Sequence, residues 1–244
     1  MKKLIKKAAK LLLVLVVIVV IAIVGVEIYF RLPQDNPSGI LLGFDDYYEE
    51  NWEQHFDLFE EYDVKATFFV NLGAPTDFCR KAIERGHEIG FHTMEHVDLT
   101  QASEAELIEQ AIVPIEEFKE AGIELTSFAY PYGAYTEETN QKLLEHYNIV
   151  RGAWYYELRS KEDLKHGFVE AKPLDNISYQ SELQFRWIVC KMLYEAKLNE
   201  GMVVPIYSHG IESGDYCITP ERLEYIFKLA KKLKLEFYTY NELQ

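Results

Sequence analysis

Cysteine is scarce in this chain of 244 residues: Cys79, Cys190 and Cys217 cannot all pair with one another, and no C-x-x-C spacing occurs. A disulfide framework and a cysteine-based zinc ribbon are therefore excluded. Basic residues are also few, 25 against 40 acidic, for a formal net charge of −15. They are unevenly placed, since residues 1–31 hold six basic groups and the single acid Glu27. That leaves 19 basic and 39 acidic groups in the rest of the chain, and such a body repels phosphates. No basic stripe offsets this charge, so nucleic acid is not an expected partner. No internal repeat appears, and low complexity is confined to one apolar run near the N-terminus. With 48% hydrophobic and 14% aromatic residues, the composition supports a sizeable core rather than disorder.

Residues 1–10 are lysine-rich, and residues 11–30 are almost unbroken Leu, Val, Ile and Ala. As a helix that run is about 30 Å long, the thickness of a bilayer's hydrocarbon core. It continues through Gly25-Val26-Glu27-Ile28-Tyr29-Phe30 without a persuasive cleavage site. A retained transmembrane anchor is expected over a cleaved signal, with the lysines cytoplasmic and the remainder outside. This divides the chain into residues 1–31 as cytoplasmic lysines and anchor, 32–38 as a linker carrying Pro33 and Pro37, and 39–244 as the main domain.

Beyond the linker, strand and helix signals alternate. Strands are expected at 40–44, 66–71, 88–91, 127–130, 149–155, 202–207 and 236–239. Helices are expected at 50–62, 77–85, 103–120, 137–147, 183–198 and 220–234, and residues 157–179 read as irregular. Such alternation argues for parallel strands with crossover helices, in a sheet or a barrel. Chemistry in those folds gathers at the carboxyl ends of the strands. Asp45-Asp46, His92, Tyr130-Pro131-Tyr132-Gly133 and Ser208-His209 each end an expected strand, so four polar clusters would converge on one rim.

His92 and His96, four positions apart, would point both imidazoles the same way from a helical turn and share one metal ion. A zinc site of the catalytic kind takes a third protein ligand, and the upstream carboxylates are candidates. Each cluster alone has a plainer reading: an aspartate pair as a turn or cap, Tyr-Pro-Tyr-Gly as a turn, His209 as a loop residue. His87 is expected to be structural, in the turn before a strand.

Taken together these residues resemble the polysaccharide deacetylase family, also called the NodB-homology domain or carbohydrate esterase family four. Gly43-Phe44-Asp45-Asp46 is similar to its first motif and His92-Thr93-Met94-Glu95-His96 to its second. Phe128-Ala129-Tyr130-Pro131-Tyr132-Gly133 resembles the third, in the form used on bacterial exopolysaccharide. Lys65-Ala66-Thr67-Phe68-Phe69-Val70 and Gly86-His87-Glu88-Ile89-Gly90 are matching flanks. The likeness runs through residues 39–244 and is densest up to about 135.

The resemblance implies an α/β fold, a distorted (β/α) barrel of about seven parallel strands preceded by the transmembrane helix. It implies Asp46, His92 and His96 as metal ligands, with zinc first and cobalt or nickel as alternatives. Asp45 would be the general base, His209 the general acid and the Tyr132 backbone N–H the oxyanion donor. Tyr130, Pro131, Trp154 and Tyr207 would meet substrate, Trp154 as an aromatic wall or else as a core residue. The expected reaction is hydrolysis of N-acetyl groups on a cell-surface or cell-wall N-acetylhexosamine polysaccharide. An O-acetyl carbohydrate esterase and a catalytically silent carbohydrate-binding module are the competing readings. The chain departs from the family in three places. Ala129 stands where an arginine commonly pairs with the base, Tyr207 replaces a leucine of the fifth motif, and no stretch supplies the fourth. No protein partner or oligomeric state follows from the sequence.

Overall fold

From Gly39 to Phe44 the chain carries no charged side chain, and a strand of that kind is stable only when both faces are covered. It forms β1 (Gly39–Asp46), the central strand of the computed structural model, which describes residues 2–243. Around it run β2 (Thr67–Val70), β3 (Glu88–Phe91), β4 (Ser127–Ala129) and β5 (Ile149–Ala153), each parallel to its neighbour. After the two-residue β6 (Arg159–Ser160) come β7 (Gly167–Pro173) and β8 (Met202–Ser208), and β8 pairs with β1. That last pairing closes a barrel of seven parallel strands, β1-β2-β3-β4-β5-β7-β8. The short β9 (Gly210–Ile211) and β10 (Cys217–Ile218) pair beside its mouth, and β11 (Glu236–Tyr238) lies along the start of β1.

Alternation along the strands sorts the core into two layers. Leu41, Phe69, Ala129, Ile149, Val169 and Val203 fill the barrel, and Tyr240 and Leu243 close its floor. Phe69 occupies so much of this space that a Cβ at Gly90 would lie 2.5 Å from its ring. Ile40, Leu42, Phe44, Phe68 and Val70 face outward beneath the helices. The α-helices among the described residues are α1 (Lys2–Arg31), α2 (Glu49–Glu53), α3 (Phe56–Tyr62), α4 (Asp77–Glu84), α5 (Glu104–Leu107), α6 (Pro114–Glu120), α7 (Glu137–Leu143), α8 (Glu182–Leu198) and α9 (Pro220–Leu233). Helix α1 is long and apolar enough to cross a membrane, and its most apolar window is not buried against the body, although Phe30 at its end is partly covered.

Three local expectations need correction. The single helix expected at 50–62 is two, because Gln54 and His55 interrupt it. The one at 103–120 starts as expected, with the Ser103 side chain accepting from the Glu106 N–H, but passes through a π-helical turn at Ile108–Ile112. The segment read as irregular contains β7, a full barrel strand. Its alternating pattern, with Val169, Ala171 and Pro173 buried between Phe168, Glu170 and Lys172, was the available signal.

His87 is structural, as expected. Its Nδ1 accepts the Ala66 N–H at 3.2 Å and its ring stacks on Phe56. Burial, helped by the charge of Arg85, lowers its pKa to about 4. A histidine held below its ordinary 6.5 supports the fold fully above that pH and loses the contribution as pH falls toward 4. The loss amounts to about 3 kcal/mol. Urea unfolding between pH 7 and 4 should therefore show a steeper fall for the native chain than for His87→Gln, which removes the titrating ring. Parallel curves would assign the acid sensitivity elsewhere.

Candidate active site

The expected clusters do meet. Asp45, Asp46, His92, His96, Tyr132, Trp154, Tyr207 and His209 line a single cleft of about 620 Å³ at the carboxyl ends of the strands. Adjacent residues on a strand normally face opposite sides, so two neighbouring aspartates in one cleft need a break in the pleat. Asp46 provides it with φ of 79°. Among the described residues, five of the seven non-glycine residues with positive φ are Asp46, Thr93, His96, Tyr132 and Trp154, all at this end of the barrel. The other two, Asp63 and Lys234, merely cap helices. Strain held by the surrounding structure and gathered in one place is characteristic of a working site.

His92 and His96 do not sit on a helical turn, which corrects the spacing argument. They lie in the loop after β3, and the left-handed Thr93 and His96 bring their rings to 5.0 Å. His92 Nδ1 lies 2.8 Å from the Ala129 carbonyl, which can only accept, so this nitrogen carries the proton. In the neutral ring Nε2 is then a lone pair, and it faces Asp46 Oδ1 at 3.4 Å. His96 Nε2 approaches the same oxygen at 3.2 Å. Acceptors converging on an acceptor call for a cation between them. The three ligand atoms all lie within 4.8 Å of one another. Metal–ligand bonds of the zinc length make the edge of a tetrahedron about 3.3 Å, which the two short separations match. Asp46 Oδ1 is buried without a hydrogen bond, as a ligand atom would be. Burial raises the Asp46 pKa, but His92 beside it, then His209 and His96, outweigh that and hold the carboxyl below its usual value. Burial, together with the charge of His92, holds the His96 pKa below its usual value, against the pull of Asp46 and Asp45.

Asp45 is not left without a cation. Arg151, fully buried on β5, donates from Nη2 to Asp45 Oδ2 at 2.5 Å. Its position is register-paired with Ala129 on the adjacent strand, so the positive charge arrives from one strand further along. The same guanidinium lies over the ring of Tyr207, 4.4 Å from its centroid. Burial favours the uncharged guanidine, yet Asp45 more than compensates and the Arg151 pKa rises. The other oxygen of Asp45, Oδ1, is buried and has no hydrogen-bond partner. The sequence reading missed Arg151, although a lone arginine in the strand Ile149-Val150-Arg151-Gly152-Ala153 was a signal.

Asp175 was missed too, in the stretch between β7 and α8. Its Oδ2 accepts from His209 Nδ1 at 2.9 Å, and its Oδ1 accepts from the Ser208 hydroxyl at 2.6 Å and the His209 N–H at 3.2 Å. The indole N–H of Trp52 holds the His209 carbonyl at 2.7 Å. Burial lowers the His209 pKa, but Asp175, then Asp45 and Asp46, raise it to about 9. Trp154 is no core residue, being 61% exposed, and its indole N–H donates to the Tyr132 carbonyl. Tyr132 is equally exposed and packs edge-on against His96. Tyr130 is buried beneath the cleft against Phe128 and Tyr135, with Pro131 buried beside it.

Removing one partner of a buried ion pair strands the other, at about 3–5 kcal/mol. Arg151→Met should therefore destabilise the fold by that order in urea titrations. Adding Asp45→Asn should recover much of the loss, since a neutral amide needs no counter-charge. Additive effects of the two substitutions would show that the pair is not coupled.

Comparison with known proteins fits this geometry. The polysaccharide deacetylase family model matches residues 33–148. A peptidoglycan-N-acetylglucosamine deacetylase of Bacillus cereus is 28% identical over 131 residues, covering 51% of this chain and 61% of that protein. A chitin deacetylase of Colletotrichum lindemuthianum is 33% identical over 104 residues, covering 39% and 40% respectively. The chain thus spans less than two thirds of the length of these curated relatives. The solved peptidoglycan deacetylase PdaC of Bacillus subtilis shares the fold, with a TM-score of 0.59 at 20% identity over 86% of this chain and 91% of that one. Residues 33–148 thus match the polysaccharide deacetylase family, and the closed seven-stranded barrel gathers the motif residues at its mouth.

Proposed function

We propose that this chain is a membrane-anchored, extracytoplasmic, metal-dependent deacetylase. Residues 39–244 are its catalytic domain, and it hydrolyses N-acetyl groups on a cell-surface or cell-wall N-acetylhexosamine polysaccharide. The observation that carries this reading is the division of labour between adjacent aspartates. Asp46 faces two imidazoles, while Asp45 is tied by one oxygen to Arg151 and keeps the other free of hydrogen bonds. The names of the Bacillus cereus and Colletotrichum relatives support an N-acetylhexosamine polymer as substrate.

A divalent cation held by Asp46, His92 and His96, zinc first and cobalt or nickel as alternatives, supplies Lewis acidity toward water and the acetyl carbonyl. Asp45 Oδ1 takes the proton of the attacking water, and Arg151 keeps that carboxylate ionised and aimed. The Tyr132 N–H, at the lip of the cleft, donates to the oxyanion developing on the acetyl carbon's oxygen. His209, protonated at neutral pH and steadied by Asp175, gives its proton to the departing amine. Tyr207 flanks the acetyl group, and Trp154 and Tyr132 offer exposed ring faces to the sugar, with Tyr130 and Pro131 supporting the lip. Arg151, which gives Asp45 a cation from the next strand, supports the enzyme reading over the catalytically silent module, for which the missing family arginine was the best support.

Purified full-length chain in detergent should release acetate and expose free amine on a chito-oligosaccharide and on peptidoglycan strands. Chelation should abolish both, and added zinc, cobalt or nickel should restore them. Acetate from acetylated xylan with no free amine from either glycan would instead select the O-acetyl esterase, and release that survives chelation would sink the mechanism. The raised His209 pKa places the alkaline limb of the pH–rate profile near 9. Asp175→Asn, which removes the largest influence raising it, should move that limb to lower pH. An unmoved limb would take the general-acid role from His209.

A further inference from the structure

The segment read as a linker, residues 32–38, is bonded to the body along its length. Lys197, only 2% exposed, donates from Nζ to the Leu32 carbonyl at 2.7 Å. Gln34 Nε2 donates to the Lys197 carbonyl at 3.1 Å, and the Asn36 N–H donates to Glu200 Oε1 at 2.8 Å. The Asn36 carbonyl accepts the Gly201 N–H at 2.9 Å, and the Ser38 hydroxyl donates to the Asn199 carbonyl at 2.7 Å. The end of α1 is held too. Glu27 pairs with Lys232 near the end of α9 at 3.2 Å, and Phe30 packs edge-on against Tyr194 of α8.

All these partners belong to one end of the barrel. Helices α8 and α9 finish there, and β8 and β11 begin there, beside Gly39 of β1. The candidate active site lies at the opposite end, after Asp46. Eight residues of tilted strand separate the two rims by about 20 Å, before the loops of the mouth are added. At the anchored rim Tyr29, Leu32 and Leu198 are exposed, and Lys65, Lys231 and Lys234 outnumber Asp63 and Glu236 in the hollow there. Apolar and aromatic side chains with lysines beside an apolar helix suit a bilayer interface. The acidic remainder of the body is repelled by anionic headgroups.

We infer that the barrel stands on the bilayer with its strand-starting rim against the lipid and its mouth facing away. The enzyme therefore acts on polymer strands lying about 20 Å or more from the membrane surface, and glycans joined directly to lipid headgroups are out of reach. This rests on the deacetylase and anchor readings proposed above, and the test separates them.

The full chain is reconstituted in liposomes bearing a short-range headgroup quencher, with one fluorophore at Lys234 or at Tyr155, which follows Trp154 at the mouth. Quenching at Lys234 and none at Tyr155 is expected; equal quenching, or the reverse, overturns the orientation whatever the activity. A chito-oligosaccharide is then supplied free, coupled directly to a lipid headgroup, or coupled through a spacer of about 40 Å. The free and long-spacer forms should be deacetylated, and the directly coupled form about tenfold more slowly or less. A Gly-Ser insert of about 20 residues between Arg31 and Leu32 should restore the directly coupled form. Equal rates on both coupled forms with the native chain overturn the inference. Failure on the free oligosaccharide alone condemns the deacetylase reading, and the quenching result still decides the orientation.

Discussion

Three buried or half-buried carboxylates crowd the mouth of this barrel, and each needs its own positive partner. Asp45 has Arg151, Asp175 has His209, and Asp46, approached on one oxygen by two imidazoles, calls for a cation between them. An unpaired buried charge costs several kcal/mol, so these pairings are structural requirements before they are chemical ones. They also differentiate the three groups. In the proposed mechanism the same residue type serves as ligand, base and positioning group through its neighbours alone.

Backbone strain keeps the pairings apart. A regular strand would send Asp46 to the opposite face from Asp45, and the turn at φ of 79° returns it to the cleft. Likewise Thr93 and His96 bend the loop so that both rings reach Asp46. None of these conformations is favoured by the residue concerned. The rigid barrel beneath, filled by Phe69 and closed at its floor, maintains them.

Much of this was legible in the sequence because it is local. Asp45-Asp46, His92, His96, Tyr132 and His209 each follow a hydrophobic run that reads as a strand, and parallel strands bring their ends together. The barrel itself was legible from the alternation of strands and helices together with the family resemblance. What escaped depends on long-range register. Arg151 serves Asp45 only because β4 and β5 align Ala129 with Arg151, a pairing no spacing rule reveals. Asp175 lies beyond a strand whose alternating run ends in Pro173, a residue that reads as a strand breaker. The histidine pair was correctly joined for the wrong reason, since loop curvature and not helical pitch brings the rings together.

We propose that Asp46, His92 and His96 hold one divalent cation while Asp45, next to Asp46 in sequence, does not bind it. Calorimetric titration of zinc into metal-stripped chain tests it most directly. The account predicts one site per chain, abolished by Asp46→Ala or His92→Ala and retained in Asp45→Asn. Loss of binding in Asp45→Asn with retention in Asp46→Ala would contradict it.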